Sequence, residues 1–309
     1  MKAVRYSEYG DSTTLALEEV PTPQPGPGQV LVKVTATTFN PADAAFRAGY
    51  LQAMIALALP HVPGVEVSGT ISELGPDVTG WALGTSVVAF LPMNAPGASA
   101  EYVLAPVEVL AALPAGVDPV DAAALPAVAL TAWQALFEHG GLASGQRVLV
   151  NGAGGAVGGF AVQLAHQAGA EVTATASARS AERVGSFGAD EVIDYTATPV
   201  AQAAKGQFDV VLNLAPATPE DTDALAALTA DDGVFVTATT APATAPGRGV
   251  RIVQMAVRSD AAQLADLLER AAAGTLRIEV ADRRPLAELP DVHAEADRGA
   301  LKGRTVILP

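Results

Sequence analysis

The hydrophobic and polar positions follow one pattern in the first third of the chain and another pattern after it. Short runs rich in Val, Ile and Thr, separated by Gly and Pro, occur at residues 29–35, 62–74 and 85–90. No long helical period lies between these runs. The first third is therefore predicted to form a small, partly open β-barrel.

From Asp118 onward, short apolar runs alternate with helical patterns. Helices are predicted at 120–136, 160–169, 181–188, 221–229 and 260–273. Strands are predicted at 147–151, 171–176, 191–194, 208–214, 233–239, 250–254 and 305–308. This alternation indicates βαβ units, and so a doubly wound parallel sheet with helices on both faces.

The tail that follows the doubly wound segment is too short to form a domain of its own, so we expect it to complete the first one. The predicted fold class is α/β. A barrel domain is predicted at 1–120 and 257–309, and a doubly wound domain at 121–256.

The strongest local motif is the segment Val148–Gly158, which reads VLVNGAGGAVG where a predicted strand runs into a helix. A dinucleotide site needs backbone close to a pyrophosphate and free N–H groups at a helix N-terminus. Gly154, Gly155 and Gly158 meet the first need, with Ala153 where the strict fingerprint has its first Gly. Because further βα units follow, the segment predicts a dinucleotide-binding loop, with a plain turn as the alternative.

The end of the second predicted strand bears on the choice of coenzyme. NAD-preferring sites carry an acidic residue about 20 residues after the loop, and residues 173–180 contain none. They offer Ser177, Arg179 and Ser180, with Arg183 one helical turn further on. Hydroxyl and guanidinium groups suit a 2′-phosphate, so we predict NADPH as the coenzyme. The alternative is that both arginines are solvated helix charges.

Five segments carry a resemblance to a known family. They are FNPAD at 39–43, PGVEVSG at 63–69, AEY at 100–102, LPAVALTAW at 125–133 and the stretch 145–166. The chain resembles the quinone oxidoreductase (zeta-crystallin-like) branch of the medium-chain dehydrogenase/reductases, and departs from it at Ala156, where a Gly is usual. The resemblance implies a GroES-like barrel domain, a Rossmann domain, an active site in the cleft between them, and a homodimer.

The resemblance also raises the question of zinc. Alcohol-dehydrogenase-like relatives hold a catalytic zinc through a Cys and a His at positions where this chain has Asn40 and Val65. The chain has no cysteine, and its four histidines stand at no ligand spacing, so we expect no metal site. Without a Lewis acid, alcohol oxidation loses its usual electrophile. A quinone or an α,β-unsaturated carbonyl still accepts hydride and needs only a hydrogen bond to its oxygen.

Two candidate catalytic residues are implied by the resemblance. Asn40 would lie near the nicotinamide and donate to a substrate oxygen, with a turn-capping role as the alternative. Tyr50 would line the mouth of the cleft, with simple packing as the alternative. Asp43 is expected to position backbone. No general acid stands out, so we expect the proton to come from solvent.

The expected coenzyme contacts come from the loop, the strand ends and the resemblance. Parallel sheets bind ligands at the carboxyl ends of their strands, which places residues 213–215 and 237–239 towards the coenzyme. The resemblance adds Thr131, Tyr195 and the segment 255–258. The expected coenzyme-binding residues are Thr131, Gly154, Gly155, Ala156, Val157, Ser177, Arg179, Arg183, Tyr195, Leu214, Ala215, Thr239, Met255, Val257 and Arg258.

Composition excludes several classes of partner. The chain carries 18 basic against 33 acidic residues, a formal net charge of −15, which argues against nucleic acid and anionic membranes. The absence of cysteine excludes disulfides and thiolate sites. Residues 1–9 lack an apolar leader and no long apolar run follows, so we expect a cytoplasmic protein without a membrane partner.

Three functions stay open on the sequence. The leading interpretation is an NADPH-dependent quinone reductase acting on a small molecule. A reductase of enones or enoyl thioesters would share its fold and coenzyme, and the sequence does not separate the two. A non-catalytic NADPH-binding sensor or crystallin-like protein is the alternative from another class.

Overall fold

The chain runs from one unit into a second and back again. The structure is a computed structural model that describes residues 1–309, and these divide into unit 1, Met1–Ala127 with Ser259–Pro309, and unit 2, Val128–Arg258. Unit 1 continues past residue 120, where a domain boundary was expected, because the short helix Pro119–Ala122 packs on strands of unit 1.

Fifteen strands and nine α-helices are numbered here in chain order. The strands are β1 Lys2–Arg5, β2 Ala16–Glu19, β3 Gln29–Thr38, β4 Glu66–Leu74, β5 Ser86–Phe90, β6 Tyr102–Pro106, β7 Leu110–Ala112, β8 Arg147–Asn151, β9 Glu171–Ala176, β10 Glu191–Asp194, β11 Phe208–Asn213, β12 Thr229–Thr237, β13 Arg251–Gln254, β14 Asp282–Pro285 and β15 Thr305–Leu308. The helices are α1 Pro41–Arg47, α2 Pro119–Ala122, α3 Pro126–Trp133, α4 Ala156–Gln167, α5 Ala178–Ser186, α6 Val200–Ala203, α7 Pro219–Ala226, α8 Ala261–Ala272 and α9 Leu289–Asp297.

Unit 1 is built on a seven-stranded, mostly antiparallel sheet with the order β14-β15-β3-β4-β5-β7, in which β6 also pairs with β3. The first half of β3 pairs with β6, and its last residues pair with the tail strand β15. Alternate residues of β3 share a face of the sheet, which places Val30, Val32 and Val34 in one core. The C-terminal tail is thus part of the same sheet as the first third of the chain.

Unit 2 is a six-stranded parallel sheet with the order β10-β9-β8-β11-β12-β13. The chain reverses its direction of travel across the sheet between β8 and β11. Ligands bind at such a switch point, outside the carboxyl ends of the strands. The two neighbouring strands that end there are β8 at Asn151 and β11 at Asn213.

Helix starts follow ordinary capping chemistry. Asn40, Asp118, Thr218 and Asp260 each accept a backbone N–H through the side chain at the start of α1, α2, α7 and α8. None of the helices combines the length and the apolar character that a membrane-spanning segment requires.

Some expected elements differ from the observed ones. The single helix predicted at 120–136 is divided, because Pro126 lacks an N–H and starts the new helix α3, which continues as a π-helical turn over Gln134–His139. Helix α4 begins at Ala156 rather than at residue 160, since its two glycines are tolerated inside the helix. The helix α9 and strand β14 were not predicted.

Candidate functional site

The phosphate loop, Gly152–Gly155, turns the chain from β8 into α4. Gly152 has a φ of +90°, and a Cβ there would lie 3.1 Å from the backbone N of Ala215. A Cβ on Gly158 would lie 2.4 Å from the carbonyl O of Gly152. Both contacts are with backbone, which cannot rotate away, so both positions require glycine. At Gly155 the nearest contact would be an ordinary 3.4 Å, so this glycine leaves open space.

The N-terminus of α4 has no partner among the side chains. Gly155 is the N-cap residue, forms no side-chain cap, and no acidic residue lies in the first turn. Gly155 and Ala156 are exposed, and Gly154 and Val157 are half-buried. Backbone N–H groups at this helix end are therefore open to an anion, as a pyrophosphate site requires.

The predicted adenosine side lies at the end of β9. Ser177 precedes α5 and forms no side-chain cap, and the first turn of this helix holds no acidic residue. Arg179 is exposed and forms no ion pair. Arg183 differs, since its Nη2 atom donates to the carbonyl O of Gly154 at 2.7 Å and its side chain is half-buried. Arg183 thus holds the loop at Gly154 instead of being a solvated helix charge, while Arg179 is exposed to solvent.

Four side chains form a row of hydrogen bonds along the carboxyl ends of the strands, which we call the strand-end relay: Thr175, Asn151, Asn213 and Thr239. The Thr175 hydroxyl donates to Asn151 Oδ1 at 2.9 Å, and Asn151 Nδ2 donates to Asn213 Oδ1 at 2.8 Å. Asn213 Nδ2 donates to Thr239 Oγ1 at 3.2 Å. These contacts join β9, β8, β11 and the residues after β12.

The remaining predicted coenzyme residues of unit 2 lie in α3, after β10, after β11 and after β13. Leu214 and Ala215 follow β11, and Met255 N donates to Thr237 O at 2.9 Å, which keeps the segment 255–258 beside β12. The guanidinium of Arg258 pairs with Glu138 at 2.6 Å. Thr131 and Val257 are half-buried, and Tyr195 is 53% exposed.

In unit 1, Asn40 caps α1. Its Oδ1 atom accepts from Ala42 N at 3.0 Å, and Asp43 Oδ2 accepts from Asn40 N at 3.1 Å, which completes a capping box. The amide nitrogen of Asn40 forms no hydrogen bond within the chain. The capping role and the donor role are therefore compatible, because each uses a different atom of the amide.

The side chain of Tyr50 is 82% exposed. An exposed ring makes few packing contacts, so the simple packing role is wrong. Tyr50 takes no part in the hydrogen bonds of the capping box at Asn40.

Asp43 holds two backbone segments together. Its Oδ1 atom accepts from Gly64 N at 2.9 Å while Oδ2 serves the cap. Burial raises the pKa of Asp43 to about 7, although the hydrogen bond from Gly64 N acts to lower it. The geometry matches a carboxylate that positions residues 40 and 64.

Glu66 is fully buried and has several partners. It pairs with Arg304, accepts from Thr38 Oγ1 at 2.5 Å, and accepts from Ala127 N at 2.9 Å. The Oδ1 atom of Asn40 is used in the cap of α1, and the aliphatic side chain of Val65 has no atom that could bind a metal ion. No group of three or more His, Cys, Asp or Glu side chains is placed to hold a metal ion. The donor chemistry at these positions does not fit a zinc ion.

Two family models match separate segments of the chain. The family described as alcohol dehydrogenase GroES-like domain matches residues 26–115, and the family described as zinc-binding dehydrogenase matches residues 187–307. A chloroplast envelope quinone oxidoreductase homolog from Arabidopsis thaliana is 31% identical over 100% of this chain and 98% of its own length. The chain belongs to the quinone oxidoreductase branch of the medium-chain dehydrogenase/reductases.

Other relatives agree with this family. The mitochondrial NAD(P)H oxidoreductase RTN4IP1 of Homo sapiens is 31% identical over 91% of this chain and 82% of its own. The quinone oxidoreductase of Coxiella burnetii matches with a TM-score of 0.89 at 28% identity, over 100% of this chain and 99% of that chain. A mycobacterial protein solved in complex with NADPH gives 0.86 at 28% identity over 100% of both chains.

This quinone oxidoreductase-family chain is an oxidoreductase enzyme of an NAD(P)H-dependent family that acts on small molecules, and its predicted GroES-like and Rossmann parts are confirmed. The expectation of a cytoplasmic location is wrong. One relative is named for the chloroplast envelope and another for the mitochondrion, so composition and the character of residues 1–9 do not decide the compartment.

Sequence reasoning missed Asn151 and Thr175 in the strand-end relay, and Glu66 with Arg304 in unit 1. A polar residue at the last position of the buried strand β8 was the available signal for Asn151. No local pattern could indicate the ion pair, because its two residues are 238 positions apart.

Proposed function

We propose that this oxidoreductase is a zinc-independent reductase that transfers hydride from NADPH to a quinone or a similar activated carbonyl acceptor. The observation that carries the proposal is the donor set at Asn40, Val65 and Glu66, which does not fit zinc in a chain of the quinone oxidoreductase branch. A homodimer is part of the proposal and rests on the family resemblance.

NADPH is favoured by the groups at the start of α5. Ser177, the exposed Arg179 and the acid-free first turn offer a hydroxyl, a free guanidinium and backbone N–H groups to a 2′-phosphate. A carboxylate that would hold the ribose hydroxyls of NADH is missing there. The related protein solved with NADPH supports the same choice.

Acceptor reduction is favoured over alcohol oxidation because the side chains of Asn40, Val65 and Glu66 do not fit a metal ion that would hold an alkoxide. Bound NADPH supplies the hydride. The protein's own contributions are to hold the pyrophosphate at Gly154 and Gly155, and to offer Asn40 Nδ2 to the acceptor oxygen. Asp43 is the titratable group beside Asn40, and both of its carboxylate oxygens accept backbone N–H groups, which favours a proton from solvent.

The test is turnover of the purified protein with NADPH and NADH against panels of quinones, enones and primary alcohols, with and without a zinc chelator. We expect chelator-insensitive oxidation of NADPH with quinones. Oxidation by neither quinones nor enones would overturn the reductase proposal, and loss of activity with chelator would overturn zinc independence. Faster turnover with enones would favour the carbon–carbon double bond reductase.

The coenzyme proposal is tested separately with Arg179→Ser. We expect the KM for NADPH to rise about tenfold, which is about 1.4 kcal/mol, with the KM for NADH unchanged. Arg298→Ser is the matched control, because it removes an exposed guanidinium from unit 1 and gives the same change in net charge. Equal effects on both coenzymes would contradict the role of Arg179.

A further inference from the structure

The strand-end relay has a backbone group of a coenzyme-facing segment at each end. At one end, Gly152 N donates to Thr175 Oγ1 at 2.9 Å. At the other end, Thr239 Oγ1 donates to the carbonyl O of Ala215 at 3.0 Å. The hydrogen bonds therefore run without interruption from the phosphate loop to the segment after β11.

We propose that the strand-end relay is a positioning device for the coenzyme, which keeps the phosphate loop at Gly152 at a set spacing from the backbone at Ala215. Thr175, Asn151 and Asn213 are the positioning residues, and they act through these two backbone segments. The inference deepens the proposed function and rests on it, since it assumes that a dinucleotide spans this edge of the sheet.

The hydrogen-bond partners determine which atom of each relay side chain donates and which accepts. The Thr175 hydroxyl accepts from Gly152 N, so its proton goes to Asn151 Oδ1. The Asn151 amide then presents its N–H₂ to Asn213 Oδ1. Asn213 is fully buried, and both ends of its amide are occupied. Asn213 Nδ2 also lies 3.4 Å from Thr237 Oγ1. Thr175, Asn151 and Asn213 are all buried and hydrogen-bonded, so rotation of any of these three side chains leaves a buried polar group unpaired.

Close packing adds to the hydrogen bonds. The absence of a Cβ on Gly152 lets the loop approach the residues after β11, where the nearest backbone atoms would lie 3.1 Å and 3.2 Å from such a Cβ. The two segments are thus in direct contact as well as joined by the relay. A dinucleotide that touches both segments meets a surface whose shape is set before it binds, which lowers the entropic cost of binding.

A neighbouring threonine offers a matched control. Thr173 lies two residues before Thr175 on β9, on the same face, and is also buried. Thr173 takes no part in the relay. A Thr→Val change at either position removes one buried hydroxyl and keeps the shape, but only the change at position 175 disconnects Gly152.

The experiment compares wild type, Thr175→Val, Thr175→Ser and Thr173→Val. Calorimetric titration measures binding of NADPH and of adenosine 2′-monophosphate, a probe that would reach only the start of α5, at a temperature where each variant is folded. For Thr175→Val we expect NADPH to bind about tenfold more weakly, which is about 1.4 kcal/mol, with binding of adenosine 2′-monophosphate unchanged. We also expect a lower kcat, with a larger isotope effect from 4-deuterated NADPH. Thr175→Ser should restore both, and Thr173→Val should resemble wild type.

Each outcome separates the inference from the proposed function. Wild-type NADPH binding in Thr175→Val overturns the relay and leaves the reductase intact. An equal loss of both ligands in Thr175→Val shows a merely structural hydroxyl and also overturns it. A wild-type protein that binds neither NADPH nor NADH overturns the proposed function, and the relay with it.

Discussion

Unit 1 buries charged side chains, whereas the polar side chains buried in unit 2 are all neutral. The buried residues of unit 1 include the ionisable side chains of Asp43, Arg47, Glu66 and Arg304. In unit 2 the corresponding residues are Gln134, Asn151, Gln163, Thr173, Thr175, Ser180, Asn213, Thr222, Thr229 and Thr237. Two parts of one chain therefore satisfy their buried polar groups by different chemistry.

The use of charged side chains in unit 1 and neutral side chains in unit 2 matches the segments that these side chains connect. In unit 1, Glu66 joins β4 to the tail through Arg304 and to the start of α3 through Ala127 N, so charge holds distant pieces of chain together. Under the proposed function, the carboxyl edge of unit 2 receives the phosphates of the coenzyme. A buried carboxylate there would repel a phosphate, while amides and hydroxyls position the loops without adding charge.

The largest effect is expected from breaking the ion pair of unit 1 with Arg304→Met. The carboxylate of Glu66 would be left fully buried without its cation, which costs about 3–5 kcal/mol of unfolding free energy. Urea unfolding measures this. The chain has two tryptophans, Trp81 in unit 1 and Trp133 in unit 2, so a Trp133→Phe background reports unit 1 alone.

Arg283→Met is the control for that change. Arg283 pairs with Asp121 but is 48% exposed, so its loss should cost under about 1 kcal/mol. Adding Glu66→Gln to Arg304→Met should recover part of the stability, because no buried charge then remains unpaired. A cost for Arg304→Met no larger than that for Arg283→Met would contradict the contrast between the units.

The same contrast explains what could be predicted from the sequence. The loop was predictable because its glycines are required by backbone atoms close in sequence. A Cβ on Gly158, for example, would collide with the carbonyl O of Gly152. The open groups at Ser177 and Arg179 were predictable because they lie within one helix start. The pair of Glu66 with Arg304 joins residues far apart in sequence, and the strand-end relay depends on the strand order. Neither has a local pattern.

A second prediction uses pH, since only unit 1 buries titratable side chains. Burial, with Arg47 nearby, lowers the pKa of His293 from 6.5 to about 3. The unfolded chain therefore takes up a proton below about pH 6.5 that the folded chain refuses, so stability falls as pH decreases from 6.5 towards 3. At pH 5 the loss is about 2 kcal/mol. His293→Phe should lose about 2 kcal/mol less than wild type between pH 7 and pH 5, by urea unfolding.

The control for this prediction is His166→Gln, which removes an exposed imidazole from unit 2. Asp43 has the opposite dependence, since burial raises its pKa and its contribution is lost as pH rises. It is present in both proteins, so the difference between variant and wild type isolates His293. Identical slopes for His293→Phe and wild type would refute the role of burial.

The smallest effect concerns Asn40 of unit 1, whose amide oxygen caps α1 and whose amide nitrogen is the proposed donor to the acceptor oxygen. Asn40→Ala removes the cap oxygen and should cost about 1 kcal/mol of unfolding free energy. Asn40→Ser keeps a capping oxygen and should retain wild-type stability. Both variants lack the amide N–H₂, so both should lose about tenfold in kcat with quinones and keep the KM for NADPH, because a hydrogen bond to the acceptor oxygen strengthens as negative charge develops there. A wild-type kcat in Asn40→Ser would leave Asn40 as a cap alone.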